Sequence, residues 1–264
     1  MPELPEVEVT RRALRPLVEG RRILAIEHAD PERYRGTELA HGRRVETLGR
    51  RGKFLLFGLE GGWELIVHLG MTGGFRLAPT PHTRAVFRLE DGALYYHDPR
   101  RLGRIWGVPA GDYRQVPLLL RMGPEPFDPG FSPAYLHARL RATRRPVKAV
   151  LLDQEVVAGI GNIYGDEALF RAGVRPTRRG YRVRRREAEG IVEAVRRVLK
   201  EAIAAGGSTL KDQSYRRPDG AIGYFQVRLS VYGRAGEPCP VCGTPIRRVR
   251  IQGRSAHYCP RCQR

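Results

Sequence analysis

The sequence is short of several side chains at once. Of its 47 basic residues only four are lysine (Lys53, Lys148, Lys200 and Lys211), asparagine occurs once, at Asn162, and cysteine four times. No stretch approaches 18 consecutive apolar residues, which excludes a transmembrane helix. The opening MPELPEVEVTRR is acidic and amphipathic and lacks the basic-then-apolar layout of a secretory signal. An internal, soluble, cytoplasmic protein is expected. Acidic residues are scarce too: 28 against the 47 bases leave a formal charge of +19 on 264 residues. Self-repulsion of that size calls for an anionic partner. No lipidation signal and no basic helix with an aromatic face point to a membrane. Nucleic acid is the expected partner.

What is present supports a folded chain: 41% hydrophobic and 28% charged residues exclude disorder, and the length suits one large domain or two ordinary ones. The arginine skew fits a GC-rich genome, and scarce Asn and Cys fit growth at high temperature. So sparing a chain keeps Lys or Asn where Arg, Gln or Asp would not serve. Lysine sheds its proton near neutrality when its surroundings demand it; arginine does not.

The cysteines, Cys239, Cys242, Cys259 and Cys262, form two C-x2-C pairs separated by sixteen residues. Each pair supplies two thiolates from one tight knuckle, and four fill a tetrahedral zinc shell with no open position. One structural Zn2+ is the expected cofactor, with two disulfides as the alternative. Between the knuckles, TPIRRVRIQGRSAHY reads as a β-hairpin around Gln252-Gly253. From Cys239 to the end there are six arginines and no acid, the composition of a phosphate-gripping surface or of a solvated one.

The order of elements predicts an α+β multi-domain fold. Val7, Leu14, Leu17 and Val18 recur at helical spacing over residues 3–18. From about 21 to 108 the pattern is β, with hairpin turns at Gly61-Gly62 and Asp91-Gly92, suggesting a sandwich or barrel. A Pro- and Gly-rich connection follows. Beyond Pro133 come RPVKAVLLD, the glycine-rich turn QEVVAGIGN, the helix IYGDEALFRAG and a long amphipathic helix closed by Gly206-Gly207. Two helices around such a turn in a basic chain are similar to the helix-turn-helix group. GIGNIYG follows a helix rather than a strand and is no nucleotide loop. The division expected is an N-terminal helix plus β-sandwich over 1–115, a linker over 116–132, a helical DNA-binding domain over 133–232 and a zinc finger over 233–264.

At the front, removal of Met1 would leave Pro2 as a free secondary amine, with an ordinary pKa of about 7.7–8.0 and a usable neutral fraction. Such an amine attacking a sugar C1′ forms an iminium, an electron sink for later eliminations. Glu3 and Glu6 lie on one face of the first turn, where a carboxylate could move protons. Taken alone, PELPE is also a plain capped helix start.

Together, MPELPEVE, QEVVAGIGNIYGDEALF and the terminal HYCPRCQ, with LGRRGKFLLF, HLGMTG and DPRRLG between, resemble the bacterial formamidopyrimidine-DNA glycosylase family over essentially the whole chain. The resemblance implies a β-sandwich opened by a helix, a helix-two-turns-helix domain and a zinc-finger β-hairpin. It implies Pro2 as nucleophile, Glu3 as general acid and proton shuttle, Glu6 as an ordering residue, Lys53 as the catalytic lysine, and Arg254 at the hairpin tip as a phosphate grip that assists the second elimination. Asn162, His82, Arg100, Arg144 and Tyr224 fall on DNA-binding positions. Met71, Arg100 and Leu102 match the residues that fill the gap left by an extruded base, Leu102 standing where the family has an aromatic. Residues 211–226 match its lesion-capping loop.

The function so implied is excision of oxidised purines from duplex DNA through a Pro2 iminium, followed by β,δ-elimination. The protein would be a monomer in the bacterial, nucleoid-associated cytoplasm, acting on duplexes with an oxidised purine or abasic site. Two alternatives stand beside it: an oxidised-pyrimidine glycosylase of the same family, and a non-catalytic zinc-ribbon DNA-binding protein.

Overall fold

Helix α1 (Leu4–Val18) starts where the sequence supplies a capping box. Glu3 is the N-cap, Pro5 occupies the first turn where its missing N–H costs nothing, and the Glu6 carboxylate accepts the Glu3 N–H at 2.8 Å. Leu4, Val7, Leu14 and Val18 are buried, whereas Leu17, expected on that face, is exposed. On the other side Glu8 receives Arg11 at 2.8 Å, Arg12 at 2.7 Å and Arg50 at 3.2 Å. Burial would raise its pKa; hydrogen bonds from Arg11 and Arg12 outweigh that and hold it at about 2.

This computed structural model describes residues 2–209 and 215–264. After α1 come β1 (Arg22–His28), β2 (Tyr34–Arg35), β3 (Arg43–Arg51), β4 (Phe54–Leu59), β5 (Trp63–His68), β6 (Gly74–Arg76), β7 (Thr83–Leu89), β8 (Gly92–His97) and β9 (Arg104–Pro109). They pair in the order β2-β9-β5-β4-β3-β1-β7-β8-β6. The two predicted turns close the hairpins β4–β5 and β7–β8. β3 and β1 share only Arg22↔Arg44 and Ile23↔Arg43, so the two halves of the order are free to face each other. They do: Leu55 and Phe57 of β4 share one core with Phe75 of β6 and Phe87 of β7, and the Phe57 and Phe87 rings stack 6.2 Å apart. That is the expected sandwich, with Val7, Leu14 and Val18 of α1 in the same core.

Contacts group the chain into two units, residues 1–120 with 202–226, and residues 121–201 with 227–264. Residues 202–226 fall inside the sequence-based helical domain, yet they pack with the first unit. The physical reason is Glu6, whose buried carboxylate accepts the Ser208 N–H at 2.8 Å, while its carbonyl accepts the Tyr215 hydroxyl at 3.3 Å. No helix among the described residues is long and apolar enough to cross a membrane.

Short helix α2 (Pro117–Arg121) leads to α3 (Pro133–Arg141), capped by the Ser132 hydroxyl, which accepts the Tyr135 N–H at 3.1 Å. α4 (Val147–Leu151), the glycine-rich turn and α5 (Asn162–Arg171) appear as expected, as does α6 (Arg185–Ala204) ahead of Gly206-Gly207. β10 (Arg247–Ile251) and β11 (Arg254–Tyr258) form the terminal hairpin; Gln252 and Gly253 both take positive φ (47° and 80°), the turn that matches hairpin twist.

A buried ion pair ties the helices to that hairpin. Lys148 of α4 and Asp166 of α5, 1% and 0% exposed, meet at 2.6 Å. The Lys148 ammonium also donates to the Ser255 carbonyl at 2.7 Å, and Asp166 accepts the His257 N–H at 2.9 Å. Beside it the Glu167 carboxylate gathers the N–H groups of Ser230, Val231 and Tyr232 at 2.9–3.0 Å. Losing one partner of a buried pair strands the other charge. Asp166→Ala is therefore expected to lower unfolding stability by about 3–5 kcal/mol in denaturant titrations. Lys148→Met/Asp166→Leu should recover most of it; a double variant no more stable than the single one would refute the pairing.

Candidate active site and nucleic-acid interface

The first unit holds the proposed chemistry at its N-terminus. Pro2 is buried at the mouth of α1, and Glu3 and Glu6, also buried, fill the two ends of the capping box. A chain terminus frays unless it is tied down. Here the tie is Glu6, bound to Glu3 on one oxygen and to Ser208 on the other. Gly207 takes φ +83°, and a Cβ there would come 3.1 Å from Glu6 Oε1, so the approach needs glycine. The Tyr215 phenol is pushed up by burial and by the Glu6 charge, so it stays a neutral donor to the helix. Met1 lies outside the described residues, as do residues 211–214 of the expected capping loop.

Lys53, largely buried, sits in the turn between β3 and β4. Sequence reasoning missed its neighbour His68, whose ring lies 4.8 Å from Phe54 and whose Nδ1 accepts the Gly70 N–H at 3.3 Å. Burial, then the Lys53 charge, depresses the His68 imidazole to about 4, so it stays neutral at physiological pH. Its only sequence signal was HLGMTG.

Met71, Arg100 and Leu102 come together on two facing loops. Met71 is 38% and Leu102 45% exposed, so neither side chain is part of the buried core. The loops are stapled by Asp98, fully buried. Its Oδ1 accepts the Thr72 hydroxyl at 2.9 Å, and its Oδ2 accepts the Gly103 N–H at 2.7 Å. Gly70, at φ +67°, lets the backbones touch, since a Cβ would stand 2.6 Å from the Leu102 carbonyl carbon. Exposed His82 joins through its carbonyl, which accepts the Asp98 N–H at 2.9 Å. Asp98 and Thr72 were not singled out from sequence, although both lie in the quoted segments DPRRLG and HLGMTG. Tyr224 is 62% exposed.

Arg144, Asn162, Arg254 and the cysteines belong to the second unit. Asn162 opens α5 at its positive end, with a buried side-chain oxygen that has no partner among the described residues. Arg254, the exposed first residue of β11, lines one cleft with Arg145, Lys148 and Gln252. Arg144 lines another with Arg141 and Arg179. The four sulfurs all lie within 4.8 Å of one another, with Cys239–Cys262 at 3.9 Å and Cys242–Cys259 at 3.4 Å. These are free thiols, not disulfides. Zinc–sulfur bonds of about 2.3 Å at tetrahedral angles put neighbouring sulfurs about 3.8 Å apart. The Val241 N–H donates to Cys239 Sγ and the Cys262 N–H to Cys259 Sγ, as thiolate ligands require.

Three family models match the chain in order. The formamidopyrimidine-DNA glycosylase N-terminal domain covers residues 1–105, the glycosylase H2TH domain 122–214, and the zinc finger found in FPG and IleRS 236–264. The chain is 59% identical over 263 residues to the formamidopyrimidine-DNA glycosylase of Thermus thermophilus, covering 100% of this chain and 98% of the relative. The chain belongs to the formamidopyrimidine-DNA glycosylase family.

A glycosylase of that name from Deinococcus radiodurans is 49% identical over 275 residues, covering 100% of this chain and 97% of the relative. The crystal structure of the Thermus thermophilus MutM (Fpg) protein matches with a TM-score of 0.96 at 59% identity, over 99% of this chain and 98% of that one. Lactococcus lactis Fpg bound to abasic-site DNA matches at 0.91 and 33% identity, over 99% of both chains. The family's zinc finger coincides with the cysteine cluster, so one structural zinc fits these ligands. Zinc sites of this closed kind carry folding energy outright. Chelation should unfold residues 236–264 and abolish duplex binding, while near-UV circular dichroism of the β-sandwich persists. Intact binding by a metal-free sample would refute it.

Proposed function

We propose that this chain is a bifunctional DNA glycosylase and abasic-site lyase that removes oxidised purines, 8-oxoguanine and formamidopyrimidines, from duplex DNA. The observation that carries this is the N-terminus: a buried Pro2 whose position is set by the Glu3–Glu6 capping box and the Ser208 tie. Solved structures of family relatives are complexes with DNA containing Fapy-dG, an abasic site and carbocyclic 8-oxo-G, which supports the same ligand class here.

The chemistry follows from the groups present. With Met1 removed, the neutral Pro2 amine attacks C1′ of an extruded nucleotide, the glycosidic bond breaks and the base leaves protonated. Glu3, adjacent and buried, delivers a proton as the sugar ring opens to an iminium. The iminium acidifies C2′; loss of that proton expels the 3′ phosphate, a second elimination expels the 5′ phosphate, and hydrolysis frees Pro2. Lys53 supplies a compact cation beside the reacting nucleotide. Arg254, presented by the zinc-held hairpin, and Asn162, at the head of α5, hold backbone phosphates. Extrusion costs a few kcal/mol, and Met71, Arg100 and Leu102 fill the vacated stack. An aliphatic Leu102 can still part a base step.

Pro2→Gly exchanges the secondary amine for a primary one and frees the terminus. Excision of 8-oxoguanine opposite cytosine should slow by at least about 100-fold, the scale of a lost catalytic group, while duplex affinity stays within about threefold. Unchanged excision by that variant, with N-terminal processing verified by mass, would remove Pro2 from the mechanism.

A further inference from the structure

Between Arg100 and Leu102 stands a strained residue. Arg101 takes φ +53°, a left-handed conformation that side chains other than glycine avoid. Strain of this kind persists only where surrounding contacts impose it. On its N-terminal side the Arg101 N–H donates to the Asp98 carbonyl at 3.3 Å. On its C-terminal side the Arg101 carbonyl accepts from Arg33 Nε at 2.9 Å. Arg33 comes from the loop between β1 and β2, 68 residues away in sequence.

A cavity of about 170 Å³ is lined by Ala29, Asp30, Tyr34, Thr83, Arg84 and Arg101. The tie between the β1–β2 loop and Arg101 is polar, and Arg33 is itself held. Its NH1 donates to Asp30 Oδ2 at 2.8 Å, its N–H to Asp30 Oδ1 at 3.1 Å, and its carbonyl accepts the Ile105 N–H at 3.0 Å. One guanidinium thus joins a carboxylate on its own loop to a peptide carbonyl on another, with Nε and NH1 donating at the fixed spacing of a planar fork that a lysine ammonium does not reproduce.

We infer that Arg33, oriented by Asp30, is a positioning residue for base extrusion: it clamps the Arg101–Leu102 peptide and so aims Arg100 and Leu102 into the DNA stack. This rests on the proposed function. The role is mechanical, through the protein backbone, and asks for no contact between Arg33 and DNA. Removing the Asp30 acid from a DNA-binding surface should help binding electrostatically and yet, here, harm extrusion.

The test compares two substrates in single-turnover excision: 8-oxoguanine paired with cytosine, and 8-oxoguanine opposite an abasic analogue, where there is no partner to break from. Arg33→Ala and Asp30→Asn should each slow the paired substrate about tenfold relative to the unpaired one, since pairing is part of the extrusion cost. Fluorescence of 2-aminopurine beside the lesion should report slower unstacking in both. Arg33→Lys should fail to rescue, and Asp30→Asn should bind undamaged duplex at least as tightly as wild type. Rescue by lysine, or equal slowing on both substrates, overturns the clamp. Leu102→Ala separates this from the wider account: if it loses paired excision selectively and Arg33→Ala does not, the clamp fails alone. If neither variant discriminates, the clamp and the extrusion wedge fall together.

Discussion

The carboxylate of Glu6 is the constraint on which the rest of the first unit depends. The nucleophile proposed at Pro2 would sit at a chain terminus, the least ordered place a protein has. Glu6 removes that disorder by taking the Glu3 N–H on one oxygen and the Ser208 N–H on the other, 202 residues distant. The helix start, Pro2 and the segment beyond α6 thereby become one object. Burying a carboxylate is costly unless its lone pairs are met, so the bond to Ser208 is as much a requirement as a bonus.

The same device recurs. In a chain with only 28 acids, several are spent at full burial, and each fixes a loop through backbone N–H groups. Asp98 joins the loops that display Met71, Arg100 and Leu102. Glu167 gathers three consecutive N–H groups at residues 230–232. Asp166, with Lys148, fastens the helix pair to the zinc-held hairpin and so sets where Arg254 stands. The arginine-rich surface needs rigid presentation as well as charge, because its guanidinium groups must meet phosphates at fixed spacing. Buried acids and one zinc supply that rigidity.

Much of this was legible in the sequence where the determinant is local. Helical spacing gave α1 and α6, Gly61-Gly62 and Asp91-Gly92 gave the two sandwich hairpins, Gly206-Gly207 gave the end of α6, and cysteine spacing gave the metal ligands. Lysine scarcity set four lysines apart without ranking them, and only the structure shows that Lys148 is locked in a buried ion pair. Asp166, Glu167 and Ser208 stayed hidden because the peptide or carboxylate each one meets lies 63 to 202 residues away, and no spacing rule encodes a carboxylate meeting a distant peptide. Residues 202–226 were grouped with the helical domain by chain order and join the first unit through those same non-local bonds. Leu17 shows the converse, a residue with the right period whose outer position lies at the rim of the buried face.

The most direct test of the account is borohydride trapping. The protein is mixed with a duplex carrying one 8-oxoguanine opposite cytosine, borohydride is added, and the covalent product is digested and mapped. The account predicts a protein–DNA adduct on the N-terminal peptide at Pro2, with phosphate on both ends of the gap in the unreduced control. Tight binding with no adduct and no strand cleavage would contradict it.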